Sequence, residues 1–139
     1  MTPKLFRSDE TRQWLRYAQE DLAGAEVLTS AHPPLLKLAL FHCQQAVEKA
    51  LKAFLVWHEQ PFTKTHNLVP LGDQSVALDP TLDAVVAPAL QLTRYAVRLR
   101  YPGEPEEPTV EEAKQWLVIA RSALDEILQR LPEEVKGGP

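Results

Sequence analysis

Cysteine is almost missing from this chain. Cys43 is the only one, so no disulfide framework exists, and one thiol alone makes no zinc site. Long apolar runs are missing too. No stretch of about 18 apolar residues occurs, which excludes a membrane-spanning helix. Residues 1–13 are polar and charged, with none of the apolar run that marks a secretory leader, so the expectation is a cytoplasmic protein. Basic residues are in deficit. Fifteen Lys and Arg stand against nineteen Asp and Glu, a net charge of −4, which argues against a broad positive surface for duplex DNA and leaves room only for a local basic patch. No segment alternates with period 2, no repeat recurs, and no low-complexity stretch is present.

What is present is helical periodicity in one domain's length. The chain has 139 residues, 45% of them hydrophobic, enough for a single core. That core is expected over about 8–131, with 132–139 a flexible, frayed tail. The twelve prolines punctuate the periodic segments. The first helix is predicted to start at an N-cap Ser8, followed by Asp9 and Glu10, with Trp14, Ala18, Leu22, Ala25 and Leu28 as its apolar stripe. Pro33-Pro34 opens a second helix that runs to about His58. Residues 60–65 read as a loop and 66–71 as a short helical turn. Asp79-Pro80 marks an N-cap with proline at the first position of a third helix running to about Tyr101. Val85, Ala89, Leu92, Ala96 and Leu99 face inward there, with a kink or a late start at Pro88. Residues 101–108 form an acidic, proline-broken loop. Thr109-x-x-Glu112 is a capping box for a fourth helix, with Val110, Ala113, Leu117, Ala120, Leu124, Ile127 and Leu131 on its stripe and Pro132 as its stop. The fold class is all-α, an up-down four-helix bundle with a short helical turn between helices 2 and 3. Trp116, Ile119 and Ala123 give the last helix a second apolar edge, which predicts a homodimer.

The second helix carries the most information. At 100° per residue, Leu40, Cys43, Val47, Ala50, Leu51 and Phe54 share one face. Gln45, Glu48 and Lys52 share a neighbouring face with Phe41 and Leu55. A solvated face rarely mixes these types, so the stripe reads as a second contact surface, for another subunit or for a small polar ligand. Cys43, on the apolar face, reads as a buried small hydrophobe rather than a nucleophile.

The ordered set of motifs resembles the HEPN domain family. The matching pieces are Trp14-Leu15-x-x-Ala18-x-x-Asp21-Leu22-x-x-Ala25, then Phe41-x-x-Gln44-Gln45-Ala46-Val47-Glu48-Lys49-Ala50-Leu51-Lys52-Ala53. Lys64-Thr65-His66-Asn67-Leu68, Arg100-Tyr101-Pro102 and Thr109-x-x-Glu112-Ala113 follow in family order. The resemblance implies a helical bundle that usually dimerises. It implies a role beside a minimal nucleotidyltransferase, as partner or substrate-binding subunit, at times as the toxin of a toxin–antitoxin pair. Many members are metal-independent ribonucleases built on Arg-x(4–6)-His, in which Arg steadies phosphate charge and His moves the proton. That motif is absent. No arginine precedes His32, His42, His58 or His66 by five to seven positions.

The single residues carry two readings each. Asp21, inside an apolar stripe, is either a carboxylate satisfied by an ion pair or a group orienting a ligand. Glu48 and Lys52, at i,i+4, are either a surface pair or part of a polar network at a groove with Gln45 and Arg100. Lys49 points away from that face and reads as solvated. His66 is a capping or packing histidine, or a phosphate or nucleotide contact with Lys64 beside it. Arg94, Arg98 and Tyr101 share one helical face, suited either to holding a phosphate and stacking a base or to pairing with residues 104–107, Asp21 or Glu48. His42 and His58 are too far apart to chelate one ion, and neither a metal nor a cofactor is expected. Three functions follow. The first is a non-catalytic, nucleotide-binding partner of a nucleotidyltransferase, using Gln45, Glu48, Lys52, His66, Arg98, Arg100 and Tyr101. The second is a ribonuclease toxin with Arg98 or Arg100 and an unconventional base such as His66. The third is a structural homodimer whose polar stripe only sets register.

Overall fold

A computed structural model describes residues 3–95 and 107–136, with side chains from Phe6 onward. Among these residues every regular element is helical: α1 (Pro3–Ser30), α2 (Leu36–Trp57), α3 (Leu68–Leu78), α4 (Asp83–Ala89) and α5 (Val110–Gln129). No helix among them is long and apolar enough to cross a membrane.

Helices α1 and α2 are the most closely packed pair. On α1 the buried stripe is Leu15, Ala18, Leu22 and Ala25, one residue off the expectation at its start because Trp14 is only half-buried. On α2 the buried set includes Ala39, Leu40, Cys43, Ala46, Val47, Ala50, Leu51, Ala53, Phe54 and Leu55. Alanines on both stripes let the two helices approach closely. Helix α5 then lays Ala113, Ala120, Ala123, Leu124 and Ile127 onto them.

Several boundaries differ from the sequence reading. Ser8 is no N-cap; it lies inside α1 and is 3% exposed. The added first turns are held by a tertiary contact. The Arg7 guanidinium lies 3.9 Å from the Trp57 ring centre and donates to the Trp57 carbonyl at 3.2 Å. Helix α2 starts at Leu36, two residues beyond the proline pair. The short turn expected over 66–71 is an eleven-residue helix, capped by Asn67, whose side chain accepts from Val69 N, and burying Leu68, Leu71 and Ser75. Pro70 and Gly72 disguised it. Pro70 sits in the first turn, where no intrahelical donor is lost. Gly72 is small because a Cβ there would stand 2.6 Å from Leu90 Cδ2.

Asp79 caps as expected, accepting from Thr81 N at 3.0 Å, with Pro80 in first position. The third long helix is nevertheless broken. Residues Pro80–Leu82 form a 3-10 turn, α4 spans seven residues with Pro88 in its last turn, and Leu90–Tyr95 is again 3-10. Pro88 removes a donor and crowds the preceding turn, which accounts for the tightening after Ala89. Ala89 and Leu92 are buried and Val85 is half-buried, while Ala96 and Leu99 lie outside the described residues.

The capping box of α5 is complete. Thr109 Oγ1 accepts from Glu112 N at 3.0 Å, and Glu112 Oε1 accepts from Thr109 N at 2.8 Å. Ala123 is fully buried, so it belongs to the core and not to a second edge; Trp116 and Ile119 are half-buried against that core. Val110, expected on the stripe, is exposed. The frayed end is also corrected for 133–135, which form a 3-10 turn that buries Val135, with Arg12 Nε donating to the Glu134 carbonyl.

Candidate functional site

The polar stripe of α2 does not face solvent. Gln44, Glu48 and Lys52 follow one another at i, i+4 and i+8, and all three are buried. Their cover comes from the same chain. Lys52 Nζ lies 5.3 Å from the Trp14 ring centre and 5.8 Å from that of Phe62. Gln44, Glu48 and Lys52 therefore form an internal seam.

Glu48 is the hub. Its Oε2 accepts from Lys52 Nζ at 2.9 Å. Its Oε1 accepts from Gln44 Nε2 at 3.2 Å, from Gln45 Nε2 at 3.3 Å and from His66 Nδ1 at 3.0 Å. Gln44 Nε2 also donates to the His66 carbonyl at 2.8 Å, and Gln44 Oε1 accepts from Gln45 Nε2 at 2.8 Å. A buried carboxylate thus has four donors, which is how a buried charge is made tolerable. The network grips His66 twice, by backbone and by ring. Leu68 N, two residues on, donates to Thr93 Oγ1 at 3.0 Å, so the same loop is tied to the segment carrying Arg94. The His66 side chain is nonetheless 69% exposed, against 3% for Glu48. Its inner nitrogen is held and its outer edge meets solvent.

Asp21 anchors a second cluster. It accepts from His42 Nδ1 at 2.8 Å and from Lys49 Nζ at 2.5 Å. Lys49 is therefore not a freely solvated lysine; its ammonium closes the α1–α2 seam. The ion-pair reading of Asp21 is the one seen. Neither Asp21 nor Glu48 pairs with an arginine among the described residues. Arg94 is exposed and stands 5.0 Å from the Tyr95 ring centre and 5.7 Å from that of Trp116, while Tyr95 and Trp116 meet edge to face. Arg98, Arg100 and Tyr101 lie outside the described residues.

Of the predicted site residues, Gln45, Glu48, Lys52 and His66 come together, and Asp21 is in the neighbouring cluster. Gln44 was missed, although its i, i+4, i+8 alignment with Glu48 and Lys52 was readable. Burial pushes the Cys43 thiol up to about 12, with the Glu26 charge adding to it, so the sulfur is not a nucleophile at neutral pH. No group of three or more His, Cys, Asp or Glu among the described residues is placed to hold a metal ion. A cavity of about 730 Å³ opens between the start of α1 and the end of α2, lined by Phe6, Arg7, Glu10, Glu59, Gln60 and Phe62 among others; none of the predicted ligand residues lines it.

No curated protein matches the chain. The HEPN domain profile matches residues 11–131, from within α1 to two residues past the end of α5, and so covers every element of the seam just described. The chain belongs to the HEPN domain family.

Proposed function

We propose that this HEPN protein is non-catalytic, and that it binds a nucleotide or substrate as the partner of a minimal nucleotidyltransferase, in a toxin–antitoxin pair. The observation that carries the reading is His66, a mostly exposed side chain held from below by a buried carboxylate. The buried members of the network are occupied with one another, so they fix a binding group rather than react. The missing Arg-x(4–6)-His sequence supports the same side. Arg94, exposed over Tyr95 and Trp116 and tied to the His66 loop through Thr93, supplies a cation and ring edges of the kind that meet phosphate and base. Arg98, Arg100 and Tyr101 belong to the proposed surface by their place in the sequence.

A homodimer completes the proposal. Half-buried Trp116 and Ile119, which share one edge of α5, support an interface there.

The test is purification of the native complex from source cells at low salt. A co-purifying nucleotidyltransferase is the expected result; a bare protein that binds no nucleotide in calorimetry overturns it. A ribonuclease with an atypical site is the rival reading, favoured by the same Glu48–His66 contact, because a carboxylate-held imidazole suits proton transfer. Metal-independent RNA cleavage lost on His66→Ala would establish the rival.

A further inference from the structure

We infer that Glu48 is a positioning residue that locks His66 in the Nδ1–H tautomer, so that Nε2 faces solvent as a hydrogen-bond acceptor for a sugar hydroxyl or a base N–H. The inference rests on the nucleotide-binding reading for its ligand, but the lock stands on geometry alone. Gln44 cannot be turned end for end. Its Nε2 is needed by the His66 carbonyl, and its Oε1 is needed by Gln45 Nε2. Its amide therefore offers a donor to Glu48 Oε1, as does that of Gln45. Lys52 offers only donors to Oε2. Both carboxylate oxygens thus act as acceptors, and the fourth contact, at 3.0 Å, is satisfied only if His66 Nδ1 carries the proton.

The consequence concerns chemistry at the surface. Histidine in water favours the Nε2–H form, which would offer a phosphate oxygen a donor. The locked form of the neutral ring offers a lone pair, which repels a phosphate oxygen and receives an O–H or N–H. The ring's ligand group is therefore the nucleoside part, and phosphate falls to Arg94. The arrangement costs little on binding, because the loop is already held at its carbonyl and its ring.

The first measurement is the long-range ¹⁵N–¹H spectrum of the imidazoles in the full-length protein at pH 8, where an ordinary histidine is neutral. His66→Asn assigns the His66 signals, and exposed His32 is the internal reference. Expected for His66 is a protonated Nδ1 and a bare Nε2. The reverse pattern, or the mixture seen at His32, overturns the inference. Glu48→Gln is expected to move His66 toward that mixture while the amide spectrum stays dispersed; a retained lock would overturn the role of Glu48. If this variant fails to fold, Glu48→Gln with Lys52→Met, which leaves no unpaired charge, is read in the same way. Calorimetry with adenosine, 2′,3′-dideoxyadenosine and inorganic phosphate then tests the acceptor role. Adenosine is expected to bind about fivefold to tenfold more tightly than the dideoxy form, the size of one hydrogen bond, with the difference gone in His66→Ala. Phosphate binding that depends on His66 would overturn the donor preference. A locked tautomer in a protein that binds none of the three would overturn the nucleotide reading and leave the lock supported.

Discussion

Glu48 shows how much one buried residue can organise. It sits at 2% exposure and meets four donors, three from its own helix and one from the His66 loop. Truncation would leave Lys52 buried without its counter-charge and release the His66 ring. Glu48→Ala is expected to cost about 3–5 kcal/mol, read from urea midpoints. The pair replacement Glu48→Gln with Lys52→Met is expected to recover most of that loss, because no unpaired charge remains. Cys43 gives a residue-scale prediction with a pH sign. Its thiol rises from 9.0 to about 12 in the native protein, because burial and then Glu26 disfavour the thiolate. Below pH 9 both native and unfolded chains hold the proton and the contribution is complete. Between pH 9 and about 12 only the unfolded chain releases it, so stability falls by about 1.4 kcal/mol per pH unit. Urea unfolding at pH 8 and pH 10 checks this. The wild type is expected to lose that much more than Cys43→Ala over the interval; an identical loss in both would refute the buried thiol.

At the scale of elements, the end of α2 carries a conflict between local and tertiary preference. Gln60 N donates to the Leu55 carbonyl and Glu59 N to the Val56 carbonyl, the paired bonds that close a helix through a left-handed residue. That residue is Glu59, with φ 57°, where glycine is the usual choice. Its carboxylate lies 3.7 Å from Arg7, at 70% exposure, a contact too exposed to offset the strain. Glu59→Gly is expected to stabilise the protein by about 1 kcal/mol, seen as a higher thermal midpoint. A lower midpoint would mean that the Arg7 contact outweighs the backbone term. The element boundaries were legible where the signal was local. The Thr109 capping box and the Asp79-Pro80 start needed only neighbours in sequence. The start of α1 and the length of α3 were not legible, because a ring from α2 holds one and packing of Leu68, Leu71 and Ser75 holds the other.

At the scale of the molecule, the open matter is assembly. We expect a dimer in sedimentation equilibrium at micromolar concentrations, and Ile119→Lys to shift it to monomer while helicity stays unchanged, since Ile119 is half-buried beside Trp116 on one edge of α5. A wild-type monomer would remove the interface from the proposal. The tertiary structure has already reassigned Ala123 from that edge to the core.

By itself the sequence determined the helical class, the inward stripe of α2, most of that of α5, and the family, because period and capping are local properties written into neighbouring residues. It also marked Gln45, Glu48, Lys52 and His66 as unusual. Only the tertiary structure decided what they touch. Periodicity gives the angle of a side chain around its own helix, and not which other segment will cover it. Trp14, Phe62 and His66 come from elsewhere in the chain to close over the α2 stripe, and that closure turned a predicted outer surface into an inner seam with one histidine left facing out.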